Sequence, residues 1–178
     1  YSSKKNGVFK MKLISIAAVI VNLIFSQDYY TMDHDGYTRE YYVSYPEITS
    51  GPAPLIISMH GFGGNALSQQ SYTDMDDYAH SHGVAVVYPQ GIGASWSVGT
   101  FWTNFNDADD IDFISQLIDK VSMDYSIDLN RVYATGMSNG GYMTYELACE
   151  LSDKIAAFGS VTGNFMLNDE QTCNPMKE

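Results

Sequence analysis

Two periodicities alternate along this chain. The stretch "YTREYYVSYP" (37–46) places Arg39, Tyr41, Val43 and Tyr45 on alternate positions. That pattern predicts an edge strand ended by Pro46. "PLIISMHG" (54–61), "VAVVYP" (84–89) and "RVYATGMS" (131–138) are short apolar runs closed by Gly, Pro or Ser, and "AAFGSV" (156–161) is a further strand. Such runs suit strands buried on both faces. Between Ser68 and His82, the positions Met75, Tyr78, Ala79 and His82 recur at helical spacing. From Asp107 onward Ile114, Leu117, Ile118 and Val121 do the same, with acids gathered at the start where they cap and complement a helix dipole. Residues 139–152 form a third helical stretch. Strands alternating with helices of this length predict right-handed βαβ units, a mostly parallel sheet and helices on both faces. The chemistry of such a sheet sits at the carboxyl ends of its strands.

Composition refines this picture at the start of the chain. The 178 residues are 45% hydrophobic and 17% charged, values of a globular chain that can bury a core. The net charge is −12, unevenly spread: four lysines precede residue 13, and no acid precedes Asp28. From residue 27 on, Arg39, Lys120, Arg131, Lys154 and Lys177 face all 21 acidic residues. Such a surface repels phosphate backbones and anionic membranes, which excludes a nucleic-acid partner. Residues 11–26 pair Lys12 with an apolar run from Leu13 to Phe25, followed by Ser26. This reads as a secretory signal peptide, too short for stable membrane insertion. The alternative is an uncleaved anchor or a buried segment. Residues 1–10 read as upstream sequence and 27–178 as the domain. Cys149 and Cys173 in an exported, oxidising setting suggest one disulfide, against two unpaired buried thiols. No cluster of His, Cys and Asp has ligand spacing, so no metal or cofactor is expected.

One motif carries chemistry. "GMSNG" (136–140) puts Ser138 between two glycines where a buried strand gives way to a helix. A nucleophile elbow requires that context: its glycines clear a turn too sharp for side chains, and the serine projects above the sheet. A structural glycine turn is the alternative. "HGFGGN" (60–65) ends an earlier strand, where the backbone N–H of Phe62 would join that of Asn139 in holding an oxyanion. His60, before this glycine loop, reads as orienting the loop rather than acting as a base.

These segments, with "VVYPQG" and "SWSVG", resemble the secreted polyhydroxybutyrate depolymerase-like esterases, an α/β-hydrolase family that includes feruloyl and acetylxylan esterases. The similarity runs from about Arg39 to Asn174, and "GMSNGGYM" is its most specific part. It implies the α/β-hydrolase fold, Ser138 as nucleophile, and Phe62 and Asn139 at the oxyanion positions. It also implies an ester substrate, polyester or plant polysaccharide. Trp96 lies in a loop that in such enzymes often reads Trp-Asn near the active-site mouth; here Ser97 follows. Trp96 and Trp102, with Phe101, are candidate substrate contacts, or they pack the loop onto the domain.

A serine triad also needs an acid and a base, in α/β-hydrolases ordered Ser, acid, His. His34, His60, His80 and His82 all precede Ser138. Two expectations compete: a chain cut before its acid and histidine, or a degenerate binding protein. The first is favoured because the sheet is short of strands, and the 178 residues alone are then expected to be weakly active. The functional expectation is a secreted serine esterase. A prolyl-oligopeptidase-type peptidase and a non-catalytic polymer- or glycan-binding domain are its rivals.

Overall fold

A computed structural model of the chain describes residues 27–99, 107–165 and Cys173. The expected signal segment 11–26 and Trp102 lie outside these residues. Among the described residues, six strands form one sheet: β1 (Gln27–His34), β2 (Tyr37–Ser44), β3 (Ala53–Met59), β4 (Ala85–Pro89), β5 (Ile127–Met137) and β6 (Ala157–Val161). Their spatial order is β1-β2-β4-β3-β5-β6. The β1–β2 and β2–β4 pairs are antiparallel, whereas β4–β3, β3–β5 and β5–β6 are parallel. The expected α/β architecture is present, with a parallel half built from βαβ units and an antiparallel ribbon on one side.

Helices α1 (Ala66–Thr73) and α2 (Asp76–Ser81) follow β3, α3 (Asp110–Asp124) precedes β5, and α4 (Asn139–Glu150) joins β5 to β6. The alternation along β3 sorts them between two faces. Leu55, Ile57 and Met59 point into the larger core with Phe113, Ile114, Leu117, Met143 and Leu147 from α3 and α4. On the opposite face, Ala66 and Ala79 from α1 and α2 pack with Val86 and Tyr88. Each buried Leu, Ile or Phe contributes about 1.5–3 kcal/mol relative to exposure, so the α3–α4 face holds most of the apolar stabilisation.

Two expectations change. First, β2 is not an edge, because β1 covers it. Asp35 and Gly36 both take positive φ, 48° and 77°, and His34 pairs directly with Tyr37. That is a two-residue turn of the I′ kind, whose twist matches the flanking strands. Second, the single helix expected over 68–82 is two short ones. Asp74 adopts a left-handed conformation, φ 48°, and its N–H bonds to the Gln70 carbonyl, ending α1. The phase of the pattern is lost there, and Tyr78 is left 72% exposed instead of packed. Cys149 at the end of α4 is joined to Cys173 by a disulfide. Among the described residues, no helix is long and apolar enough to cross a membrane.

The hairpin gives a clean test of backbone strain. At Gly36, φ is 77° and, among the described residues, nothing lies within 4 Å of the place an alanine Cβ would take, so a substitution there meets only the backbone penalty. Gly36→Ala is expected to lower stability by about 1 kcal/mol in urea denaturation. Gly51, equally open but without positive φ, should tolerate alanine with a change within about 0.5 kcal/mol.

Candidate active site

The parallel strands β3 and β5 run side by side with Met59 opposite Gly136, so their carboxyl ends come together. At that point β5 turns sharply into α4. Ser138 is the residue between them, with φ 52° and ψ −113°, a conformation that costs a non-glycine residue about 1–3 kcal/mol. Its N–H donates to the Val161 carbonyl at 2.9 Å, and its carbonyl accepts from Tyr142 N–H at 2.9 Å. The turn is thus fixed at both ends. A methyl on Gly136 would run into the Gly140 carbonyl, and one on Gly140 would meet the Met59 and His60 carbonyls. Only bare backbone lets the first turn of α4 sit against the end of β3.

Gly61 closes the arrangement from the β3 side. A Cβ there would lie 3.6 Å from the Ser138 Cβ. The "HGFGG" turn therefore runs directly beside Ser138, and Phe62 and Asn139 flank it from two different elements. Asn139 is the first residue of α4, and the opening N–H groups of a helix have no intrahelical acceptor.

Both flanking segments are anchored by one loop. The side chain of Asn139 is fully buried: its Oδ1 accepts from Trp96 N–H at 2.7 Å, and its Nδ2 donates to the Trp96 carbonyl at 3.1 Å. Only an amide can both accept and donate in this way. Trp96 Nε1–H in turn donates to the His60 carbonyl at 2.8 Å. His60 is buried and neutral-favouring, its pKa lowered by desolvation. Its Nδ1–H donates to the Gly61 carbonyl at 2.8 Å, while Nε2 accepts from Gly91 N–H at 3.0 Å. The two bonds together select one tautomer and use both ring nitrogens, so His60 holds the turn and has no nitrogen left for a base.

Beneath this lies a buried ion pair. Arg39 Nη2 donates to Asp110 Oδ1 at 2.6 Å with both side chains fully buried, and the guanidinium stacks 3.6 Å over Phe113. Asp110 Oδ2 accepts from Ser97 N–H at 2.7 Å, which ties the 95–97 loop to the start of α3. Burial pushes the Asp110 carboxyl up, and the Arg39 charge and the Ser97 N–H oppose that shift. Removing one member of such a pair typically costs about 3–5 kcal/mol, because the other is left buried and unpaired.

Trp96 departs from its expected role. It is fully buried, so it does not touch a substrate; its ring packs 5.1 Å from His60 and fills the core below the turn. The other three histidines are engaged elsewhere. His34 shares a hydrogen bond with Asp112 at 2.9 Å, His80 with Ser44 at 3.0 Å, and His82 with the Tyr78 carbonyl at 2.8 Å. The roles of Arg39 and Asp110 were not apparent in the sequence. An arginine at an inward position of an aromatic strand was the available signal, and Asp110 was hidden among helix-capping acids. Among the described residues, no group of three or more His, Cys, Asp or Glu could hold a metal ion. A cavity of about 190 Å³ opens beside the site, lined by Gly61, Phe62, Gln69, Tyr72 and Met137 among others.

Comparison with known proteins agrees with this geometry. The family model described as esterase PHB depolymerase matches residues 41–176. A bifunctional acetylxylan esterase/xylanase of Neocallimastix patriciarum is 35% identical over 128 residues, 72% of this chain and 18% of that protein. Feruloyl esterase B of Piromyces equi is 34% identical over 125 residues, 67% of this chain and 23% of that protein. The chain thus spans about a fifth of the length of these two relatives. The crystal structure of S-formylglutathione hydrolase from Staphylococcus aureus superposes with a TM-score of 0.65 at 20% identity, covering 79% of this chain and 58% of that one. At that identity the likeness is one of fold.

The strain at Ser138 is measurable. Ser138→Gly should raise stability by about 1 kcal/mol, since glycine accepts φ 52° without penalty. Ser138→Ala keeps the Cβ and should change stability by no more than about 0.5 kcal/mol in the same urea titration.

Proposed function

Because the chain belongs to the esterase PHB depolymerase family, we propose that it is the elbow-bearing part of a secreted serine hydrolase that cleaves carboxylic esters. The observation that carries this reading is Ser138, held at φ 52° at the carboxyl end of β5, with the Gly61 turn beside it. In this reading Ser138 Oγ attacks the ester carbonyl and gives its proton to a histidine base. The alcohol then leaves with a proton, and water releases the acyl group by the reverse sequence. The N–H groups of Phe62 and Asn139 bind the oxyanion, and preorganised donors of this kind supply several kcal/mol of barrier reduction.

His60 is not that base in this reading, because both its ring nitrogens are spent on the turn. Residues 27–178 are the domain that carries the elbow, and residues 11–26 direct export. The disulfide between Cys149 and Cys173 supports an oxidising destination. The substrates are esters, drawn from polyesters or from acyl groups on plant polysaccharide. The names of the relatives, acetylxylan esterase and feruloyl esterase, support this range.

Turnover on the full-length polypeptide carrying these residues tests the reading. It is expected to hydrolyse p-nitrophenyl butyrate and to leave the matching p-nitroanilide largely intact. Ser138→Ala should lower kcat by about 10³-fold or more. Faster cleavage of the anilide would point to a peptidase instead, and full activity in Ser138→Ala would remove Ser138 from the chemistry.

A further inference from the structure

Residues 90–97, the loop after β4, touch both elements that would carry the oxyanion donors. On the β3 side, Gly63 N–H donates to the Ala94 carbonyl at 2.8 Å, and Trp96 Nε1–H donates to the His60 carbonyl at 2.8 Å. The peptide that carries Phe62 N–H is fixed in the same turn. Its carbonyl, from Gly61, accepts from His60 Nδ1–H at 2.8 Å and from Gly64 N–H at 3.0 Å. Carbonyl and N–H point opposite ways across a trans peptide, so these bonds set the direction of Phe62 N–H. On the α4 side, the Trp96 backbone holds the Asn139 side chain through bonds of 2.7 and 3.1 Å. The loop is a brace between the two donors.

The buried ion pair closes this brace across its base. Arg39 Nη2 donates to the Gln90 carbonyl at 3.4 Å, where the loop starts, and to Asp110 Oδ1 at 2.6 Å. Asp110 Oδ2 accepts Ser97 N–H at 2.7 Å, where the loop ends. One guanidinium and one carboxylate thus tie both ends of the loop to β2 and α3. Stability alone does not account for such a pair. Taking two charges out of water offsets their attraction, and apolar residues of similar volume often hold a fold as well or better. Among the described residues, Arg39 Nε and Nη1 are also buried without hydrogen-bond partners. What apolar residues cannot supply is a donor to the Gln90 carbonyl and an acceptor for Ser97 N–H.

We propose that Arg39 and Asp110 are positioning residues for ester hydrolysis: by pinning both ends of the 90–97 loop they set the spacing of the Phe62 and Asn139 N–H groups around the oxyanion. This rests on the ester-hydrolase reading above. The two donors act on charge that develops as the carbonyl becomes tetrahedral, so their misplacement is felt in the transition state and hardly in ground-state binding. A displacement of about 1 Å at such a group lowers the rate by about 10²-fold.

A double variant of the full-length polypeptide, Arg39→Met with Asp110→Leu, separates positioning from stability. It removes both charges together and leaves no unpaired ion, so its urea midpoint is expected to stay near that of the wild type. Its kcat for p-nitrophenyl butyrate is expected to fall about 10- to 100-fold with KM unchanged. In NMR spectra, its Phe62 and Asn139 amide resonances are expected to move. Trp96→Phe, which removes the indole donor on the His60 carbonyl, takes its place if the double variant does not fold, and the same loss of kcat is expected. A folded variant that keeps the wild-type kcat, that only raises KM, or whose two amide resonances stay in place would overturn the positioning role; turnover by the wild type would still uphold the hydrolase reading. Displaced resonances with no turnover of any ester by the wild type would contradict the hydrolase reading and leave the placement of the two donors standing.

Discussion

The site depends on how closely two backbones can approach. The first turn of α4 rests on the carbonyls of Met59 and His60 at the end of β3, and only the absence of a side chain at Gly140 permits it. This contact sets the distance between the α4 N-terminus and the glycine turn after β3. It also forces Ser138 into the strained conformation between them, since β5 must reverse direction within one residue. Strain of that kind persists only where the surroundings over-determine it. Here they do so through the Val161 and Tyr142 hydrogen bonds and the packing of Met143 and Leu147 into the core.

The second requirement is that both walls stay in register, and the loop after β4 meets it with polar groups. Asn139, Trp96, His60 and Asp110 form a connected buried set whose members hydrogen-bond the backbone at residues 60, 61, 91, 96 and 97. In a low-dielectric interior such bonds have few competing arrangements, so a satisfied set selects a single geometry even where its net contribution to stability is modest. Arg39 shows the cost of the arrangement: among the described residues, its Nε and Nη1 are buried without hydrogen-bond partners. Its stacking on Phe113 and its bond to Asp110 offset part of that loss.

Much of this was legible in the sequence because burial on both faces leaves an unbroken apolar run. β4 showed one and is buried throughout, β3 is buried or half-buried along its length, and β5 departs from the expectation by alternating buried with half-buried positions. α3 showed its helical stripe at Ile114, Leu117, Ile118 and Val121. The glycines around Ser138 were legible because no other residue could occupy them. What failed was local or long-range. The Asp35-Gly36 turn was a readable hairpin signal, and β1 went unseen because the acidic residues around it masked the alternation of Tyr30, Met32 and His34. The break at Asp74 rests on one residue adopting a left-handed conformation, which the periodicity of its neighbours does not reveal. Trp96 and Arg39 act through partners 36 to 71 positions away in the chain, and no spacing rule connects them.

The central claim is that this fold presents Ser138 as a reactive hydroxyl and not as a serine in a structural turn. Treatment of the full-length polypeptide with a fluorophosphonate probe, followed by peptide mapping, addresses it directly. The account predicts a single phosphonate adduct on Ser138. No adduct, or an adduct on another residue with Ser138 unmodified, would contradict it.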